Sequence, residues 1–575
     1  MRREWQQFRL LSRDAVKQLI DTALLSRDAD PMEYALWMTA LVATPSAFFA
    51  ARQMLTYSAL QAAPAEVVQR IALAHWLFFI VYGMLAAAFL AAMTWEAVFP
   101  DGRDQEVIGV LPVKPYVFAA SRLAAAVKVA VLFLGLVNLP AAALYSVFAM
   151  GHPIFAWDLP GLFVGHTLAA MLGSLLVFFV LLSVRGLTAV VFGAGAGKWL
   201  GAALQLVTVV LMFETLFFLP GILDALVSRM MQGDATVALL PPVWFAALHA
   251  WFAGLAAAAD SPAALAPLLG DAALRGLLAF TVASAIVVPV YLVPARWLGR
   301  RALEKRSRER AAATTFIVRA ISGITHARPA VRGVYTFGVA SLVRSRRHHL
   351  VLATYVGLAI AVCIISVFII DDRGSIKLER PASWSLTLPM VFLFFGVQGM
   401  RSAFRIPTEV EANWPFRIAQ PSLPTCVNAT LLVIFTLVML PIALATLLLV
   451  GPYWPIADAL LVIALQMLAG LMLTELVLFR WRKVPFACAH APSPDVLKAW
   501  WPVYGFALYF YAFGLADWQF EALQSTRALV SYVATCLGAM AVVRLLRYRQ
   551  LRRHRLEFDL VPQGTERLNL SEALN

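Results

Sequence analysis

The sequence predicts an all-α, polytopic membrane protein with about twelve transmembrane helices in two six-helix halves. Three observations predict it. Of 575 residues, 61% are hydrophobic and only 14% charged, against roughly 45–50% and 25% in soluble domains. The mean hydropathy is +0.76. Apolar runs of spanning length recur along the whole chain, and no polar stretch is long enough for a separate soluble domain.

A spanning helix needs roughly 20 mostly apolar residues. By that measure the first half has spans at about 34–54, 71–95, 123–149, 159–184, 199–223 and 275–298. The second half has them at about 349–370, 385–403, 427–451, 456–479, 500–520 and 526–546. The domain plan is then a cytosolic amphipathic helix (1–30), a first six-span half (31–299), a basic linker with a second amphipathic helix (300–348), a second half (349–547) and a cytosolic tail (548–575).

Orientation follows from Lys and Arg. The net charge is +14, and the basic residues gather at the N-terminus, in the central linker and in the tail. An even number of spans puts all three on one side, which the positive-inside rule makes the cytosol. The same clustering explains the basic excess without nucleic acid. Arg373, Lys377 and Arg380 on the outer side are offset by Asp371, Asp372 and Glu379.

Each half opens on an amphipathic stretch. Leu10, Leu11, Ala15, Leu19 and Ile20 form a stripe in the first; Phe337, Ala340, Leu342 and Val343 precede a basic run in the second. Both read as helices lying along the cytosolic leaflet. On the outer side, residues 224–274 carry Pro241-Pro242 followed by Trp244, Phe245, Leu248 and Trp251 at helical spacing, the pattern of a helix at the outer interface. His152, His249 and Asp260 lie on that side without a partner pattern.

Gly193-Ala-Gly-Ala-Gly-Lys198 is not a phosphate loop. The pattern needs Gly where Phe192 stands and Ser or Thr where Trp199 stands. A turn between the fourth and fifth spans accounts for it. The four cysteines, Cys363, Cys426, Cys488 and Cys536, make no CxxC pair, and no catalytic motif is present. The expectation is a chain with no catalytic residues, no metal site and no cofactor of its own. Ionisable residues inside spans are costly and mark functional hypotheses. Lys128, His166, Glu214 and Glu475 are the ones here. Lys128 is near enough to the cytosolic end to snorkel. Glu475 reads as an edge residue near Arg480; Glu214 lies deeper, where it is kept neutral by burial, pairs with Lys128 or His166, or lines a polar cavity.

Between the second and third spans of each half lies a short acidic, proline-bounded segment. The first, Phe99–Val113, places Val107, Ile108 and Leu111 at helical spacing beside Asp104 and Glu106, and ends on Leu111-Pro112. The second, Phe404–Arg417, holds Glu409, Glu411 and Trp414 at the corresponding place but lacks the Leu-Pro step. Such segments have the character of docking handles: polar enough to stay in water, and carrying an apolar knob.

At Glu106-Val-Ile-Gly-Val-Leu-Pro-Val113 the chain resembles the permease subunit of ABC-2-type exporters, the membrane part of ATP-binding-cassette transporters. The resemblance implies two six-span units fused in one chain, in a cell inner membrane with both termini cytosolic. It also implies that these segments dock on separate ATPase subunits, in two copies, which bind the ATP. With both halves fused, no second permease chain is expected. Two other classes stay open. A twelve-span secondary transporter would use Glu214, Lys128 or His166 for ion coupling. A polytopic enzyme acting on lipid-linked substrates would assemble its site from distant loops.

Overall fold

The computed structural model describes residues 2–24, 31–61, 63–98, 111–149, 159–253, 265–292, 329–370, 376–378, 384–406, 414–419, 421–452, 454–479, 481, 483–487 and 503–551. The chain divides into two compact units. One comprises Met1–Ser307 with Ile364–Glu379, the other Arg308–Cys363 with Arg380–Asn575.

The first unit contains α1 (Arg2–Leu24), α2 (Pro31–Ala59), α3 (Ala65–Val98), α4 (Pro115–Ala149), α5 (Leu159–Met231), a 3₁₀ turn (Ala235–Leu239), α6 (Pro241–Phe252) and α7 (Leu265–Leu292). An antiparallel hairpin completes it: β1 (Phe368–Ile370) pairs with β2 (Ile376–Leu378), Ile369 opposite Lys377. It is the one departure from helix among the described residues' main elements; β1 takes the last three residues of the expected span 349–370, and β2 falls in the expected outer loop.

α3 forms the centre of this unit. Val68, Ala72, Leu73, Trp76 and Leu77 are fully buried on it. Small residues let neighbouring helices approach: a Cβ on Gly83 of α3 would lie 2.6 Å from the Ser174 hydroxyl of α5. α1 is amphipathic as expected, and its inner face packs on protein. Ser12, Ala15 and Leu19, at helical spacing, are buried, while Trp5 and Leu10 are 61% and 70% exposed. The inner face is tied to α4, where Arg122 donates to Gln18 Oε1 at 3.0 Å.

α5 runs for 73 residues without a break in its helical assignment. Straight, it would be about 110 Å long, several times a bilayer core of about 30 Å. It is not straight. A Cβ on Gly197 would lie 2.8 Å from the carbonyl oxygen of Thr188, and one on Gly201 2.9 Å from Nε of Arg185. Residues nine apart on a straight helix are separated by about 13 Å. The chain therefore turns back on itself at 189–197, giving two legs, and the glycine-rich segment that imitates a phosphate loop is this reversal. Gly233, with φ 73°, then ends the second leg. Asp234 N–H bonds to Arg229 O and Gly233 N–H to Met230 O, the two bonds of a Schellman stop.

α6 departs from the expected interfacial helix. Trp251 faces outward at 61% exposure, but Val243, Phe245, Ala246, Ala247 and Ala250 are fully buried. Nine of its twelve residues are apolar, all but the two prolines and His249; such a helix is apolar on nearly every side and is stable only when largely enclosed. Trp244 Nε1 donates to Ala238 O at 2.7 Å, and Arg275 of α7 donates to the same carbonyl at 3.1 Å, anchoring the turn before it.

The second unit contains α8 (Pro329–Arg344), α9 (Arg346–Val367), α10 (Trp384–Phe404), α11 (Trp414–Ala419), α12 (Leu423–Ile434), α13 (Leu440–Val450), α14 (Ile456–Val477), α15 (Leu515–Gln524) and α16 (Thr526–Leu551). A π-helical turn, Phe435–Met439, joins α12 to α13. Pro441 has no N–H to donate back to Leu437, which accounts for the widened turn. Tyr335 of α8 donates to Thr436 Oγ1 within it at 3.1 Å. A second π turn, Tyr509–Gly514, leads from helical residues 503–508 into α15.

Among the described residues nine helical segments are long and apolar enough to cross a membrane: Ala65–Thr94, Pro115–Ala149, Leu159–Phe192, Ala203–Met231, Leu268–Leu292, Leu386–Phe404, Leu423–Leu448, Ile456–Val477 and Thr526–Arg549. The chain is thus a helical protein of multi-pass membrane character. The other expected spans, at 34–54, 349–370 and 500–520, fall on α2, on α9 and on residues 503–524. Their described residues are helical except 368–370, which form β1, and none is among the nine; α9 contributes the shorter apolar stretch Val351–Ile364.

Candidate functional site

Of the first docking segment, Asp104, Glu106, Val107 and Ile108 lie outside the described residues; Leu111 and Pro112 are within them. Leu111 is 52% exposed, an apolar side chain in the open. The backbone beside it is fixed. Val113 N–H bonds to Leu111 O at 2.7 Å, and Lys114 O accepts from Val117 N–H at 2.9 Å to start α4. This exit is braced on α1: Gln7 Nε2 donates to Pro112 O at 3.2 Å, and Lys114 Nζ pairs with Glu4 Oε1 at 2.6 Å. The Lys114 hydrogen bond, with a second from Tyr116, holds the Glu4 carboxyl below its ordinary value.

In the second segment Glu409 and Glu411 lie outside the described residues, and Trp414 opens α11. Phe416 of α11 packs edge-on against Phe337 of α8 at 4.9 Å, and Ile418 is 76% exposed. Ser422 then caps α12, its hydroxyl accepting from Thr425 N–H at 3.4 Å. On the entry side His348 Nε2 contacts Ile406 O at 2.8 Å, and Phe486 N–H donates to Phe404 O at 3.2 Å. Both segments are therefore braced on the amphipathic helix that opens their own unit, and both leave an apolar side chain uncovered.

The intramembrane polar residues do not converge. Lys128 Nζ donates to Ser12 Oγ of α1 at 2.9 Å, so it reaches toward the amphipathic helix as a snorkelling lysine does. Both carboxyl oxygens of Glu214 are shielded and without a hydrogen-bond partner. Its expected pairing with Lys128 or His166 is not formed: Lys128 is engaged with Ser12, and both ring nitrogens of His166 are also without partners. Glu475 stands near the end of α14, two residues before Val477, as expected of an edge residue, but its side chain is not open to water. It is buried on α14, with Oε1 2.9 Å from Nε of Arg544 and Oε2 paired with Arg547, both on α16. Arg547 also donates to the Glu475 carbonyl at 2.9 Å. A carboxylate buried in this way is held by the cations within reach, here the buried Arg547 and the more exposed Arg544; Arg480 lies outside the described residues.

His166 belongs to a polar knot that the sequence did not reveal. Tyr145 of α4 sits at its middle, accepting from Trp76 Nε1 at 2.7 Å and sharing a hydrogen bond with the Tyr57 hydroxyl at 3.0 Å. Tyr57 also bonds His75 Nδ1 at 3.2 Å. His249 of α6 is not the partnerless outer-side residue expected: its ring lies 5.1 Å from that of His166 and 4.3 Å from that of Trp76. The knot joins α2, α3, α4, α5 and α6. Its members come from five helices at no fixed spacing, so no local signal could have found them. No group of three or more His, Cys, Asp or Glu able to hold a metal occurs among the described residues.

No protein-family model matches the chain, and neither a curated protein nor a solved structure was found to resemble it.

Proposed function

We propose that the chain is the membrane permease of an ATP-driven exporter, with twelve spans in two halves and separate cytosolic ATPase subunits that supply the energy. One observation carries the reading. The polar segment after the second expected span of each half is braced on an amphipathic helix, by Gln7–Pro112 and Glu4–Lys114 in one and by Phe337–Phe416 in the other. A segment that transmits motion must be coupled to a rigid element, whereas a plain connecting loop needs no brace. Leu111 and Ile418 are the apolar knobs that a partner would cover. ATP closing the partner subunits would move both braces, and with them α4 and α12, switching the path from inward-facing to outward-facing. On this reading both termini are cytosolic and the protein resides in the cell inner membrane. Co-purification of the full chain with an ATPase encoded beside it tests the proposal. Loss of that complex in Leu111→Asp and Glu106→Lys is the expected result; intact association and transport in both would sink it.

A second reading rests on Glu214. An unpaired carboxyl in an apolar leg suits ion coupling in a secondary transporter. Transport that persists without ATP, collapses with the proton gradient and is lost in Glu214→Gln would favour it.

A further inference from the structure

Among the described residues, two arginines, one in the last turn of α10 and one just after it, stand without a counter-charge. Arg401 lies in the last turn of α10 and Arg405 in the turn that follows, near enough for the charge of one to act on the other. Each is partly buried, and the Nε of each is shielded and has no hydrogen-bond acceptor. No carboxylate pairs with either among the described residues. Arg405 directly follows the apolar segment Leu386–Phe404. Burial, then the charge of Arg401, holds its guanidinium below the ordinary value; the Tyr504 and Tyr355 hydroxyl groups act on it in the opposite sense. Tyr355 is fixed by a 2.8 Å hydrogen bond to Ser402.

The contrast with Arg547 is informative, since that guanidinium is buried and has Glu475. An arginine that merely anchors a helix end extends into water. Two neighbouring guanidinium groups held partly out of water repel each other and call for an anion. Their planar forks match the oxygens of phosphate, and basic sites between helices at a membrane boundary suit phosphorylated headgroups.

We propose that Arg401 and Arg405, with Tyr355 behind them and the exposed Tyr504 at the rim, form a binding site for a phosphate-ester anion at the end of α10. The site does not depend on the transport reading. The phosphate comes either from an anionic phospholipid or from a soluble phosphate compound, and the test separates the two.

Full-length protein is delipidated in detergent and titrated with phosphatidylglycerol, phosphatidylcholine or inorganic phosphate, with native mass spectrometry and thermal unfolding as readouts. Saturable binding of phosphatidylglycerol over phosphatidylcholine identifies a lipid; saturable stabilisation by inorganic phosphate identifies a soluble anion. In either case Arg405→Gln and Arg401→Gln weaken binding about tenfold, the loss of one charge-assisted contact, while Arg405→Lys retains part of it. Wild-type protein that binds neither phosphate-bearing probe overturns the proposal, as does equal binding by wild type and a folded double variant. If Glu409→Gln with Glu411→Gln destabilises the chain as the arginine variants do, and no probe binds, the counter-charge is internal and the proposal fails.

Discussion

Replacing Glu475 by Gln leaves Arg547 buried beside a neutral amide, and breaking a buried pair in this way costs about 3–5 kcal/mol. Arg544, 60% exposed, is worth about 1 kcal/mol or less. Thermal unfolding should therefore separate Glu475→Gln, strongly destabilised, from Arg544→Gln, nearly unchanged. Removing the Tyr145 hydroxyl strands Trp76 Nε1 and the Tyr57 hydroxyl; Tyr145→Phe should lose about 1–2 kcal/mol by the same measurement. Glu4 gives a pH dependence. Its carboxyl is held below the ordinary value in the folded chain, so its contribution to seating α1 is present above the unfolded pKa and is lost as pH falls through the lower folded one. Hydrogen exchange in α1 should rise on acidification, and Glu4→Gln should remove that dependence. At this scale sequence reading served residues whose surroundings are local. Lys128 was legible because a lysine near a span end has one place to go. Glu475 was not, because its cations lie on α16, 69 residues further along in the case of Arg544. Glu214 has no hydrogen-bond partner to be read among the described residues.

Hydrophobic runs located the helices well, since burial in lipid or protein demands them wherever the chain spans. What the runs could not show was shape. The reversal within α5 was legible as a turn from its glycines, but not as a tight fold-back in continuous helix. That closeness makes Gly197 the sensitive position: Gly197→Val would drive methyl groups into the Thr188 carbonyl and should abolish folded, monodisperse protein in size-exclusion chromatography. Gly270→Ala, with nothing within 4 Å of its new Cβ, is the matched control and should elute as wild type. α6 misled for a physical reason. Trp at helical spacing fits an interface, but the residues between Trp244 and Trp251 are as apolar as they are, and only enclosure removes that much surface from water.

Across the whole molecule, the order of amphipathic stretches, apolar runs and polar segments is read from where those residues fall along the sequence. The bracing of each polar segment was not, because Gln7–Pro112 and Phe337–Phe416 join residues far apart in sequence. On the proposed permease reading these braces predict a behaviour of the entire chain: Gln7→Ala with Glu4→Ala should leave the helices intact by circular dichroism while uncoupling ATP hydrolysis by the proposed partner from transport. A full loss of fold, or unchanged coupling, would count against that role.

The fold-back at Gly197 also bears on how the protein is made. Its two legs are joined by too few residues to wait for one another outside the bilayer. They must enter the membrane together as a pair during synthesis. The leg carrying Glu214, whose charge at a helix centre opposes insertion by about 3 kcal/mol, then needs no independent partitioning step, because it enters paired with its sister leg, in which His166 and Arg185 are the ionisable side chains.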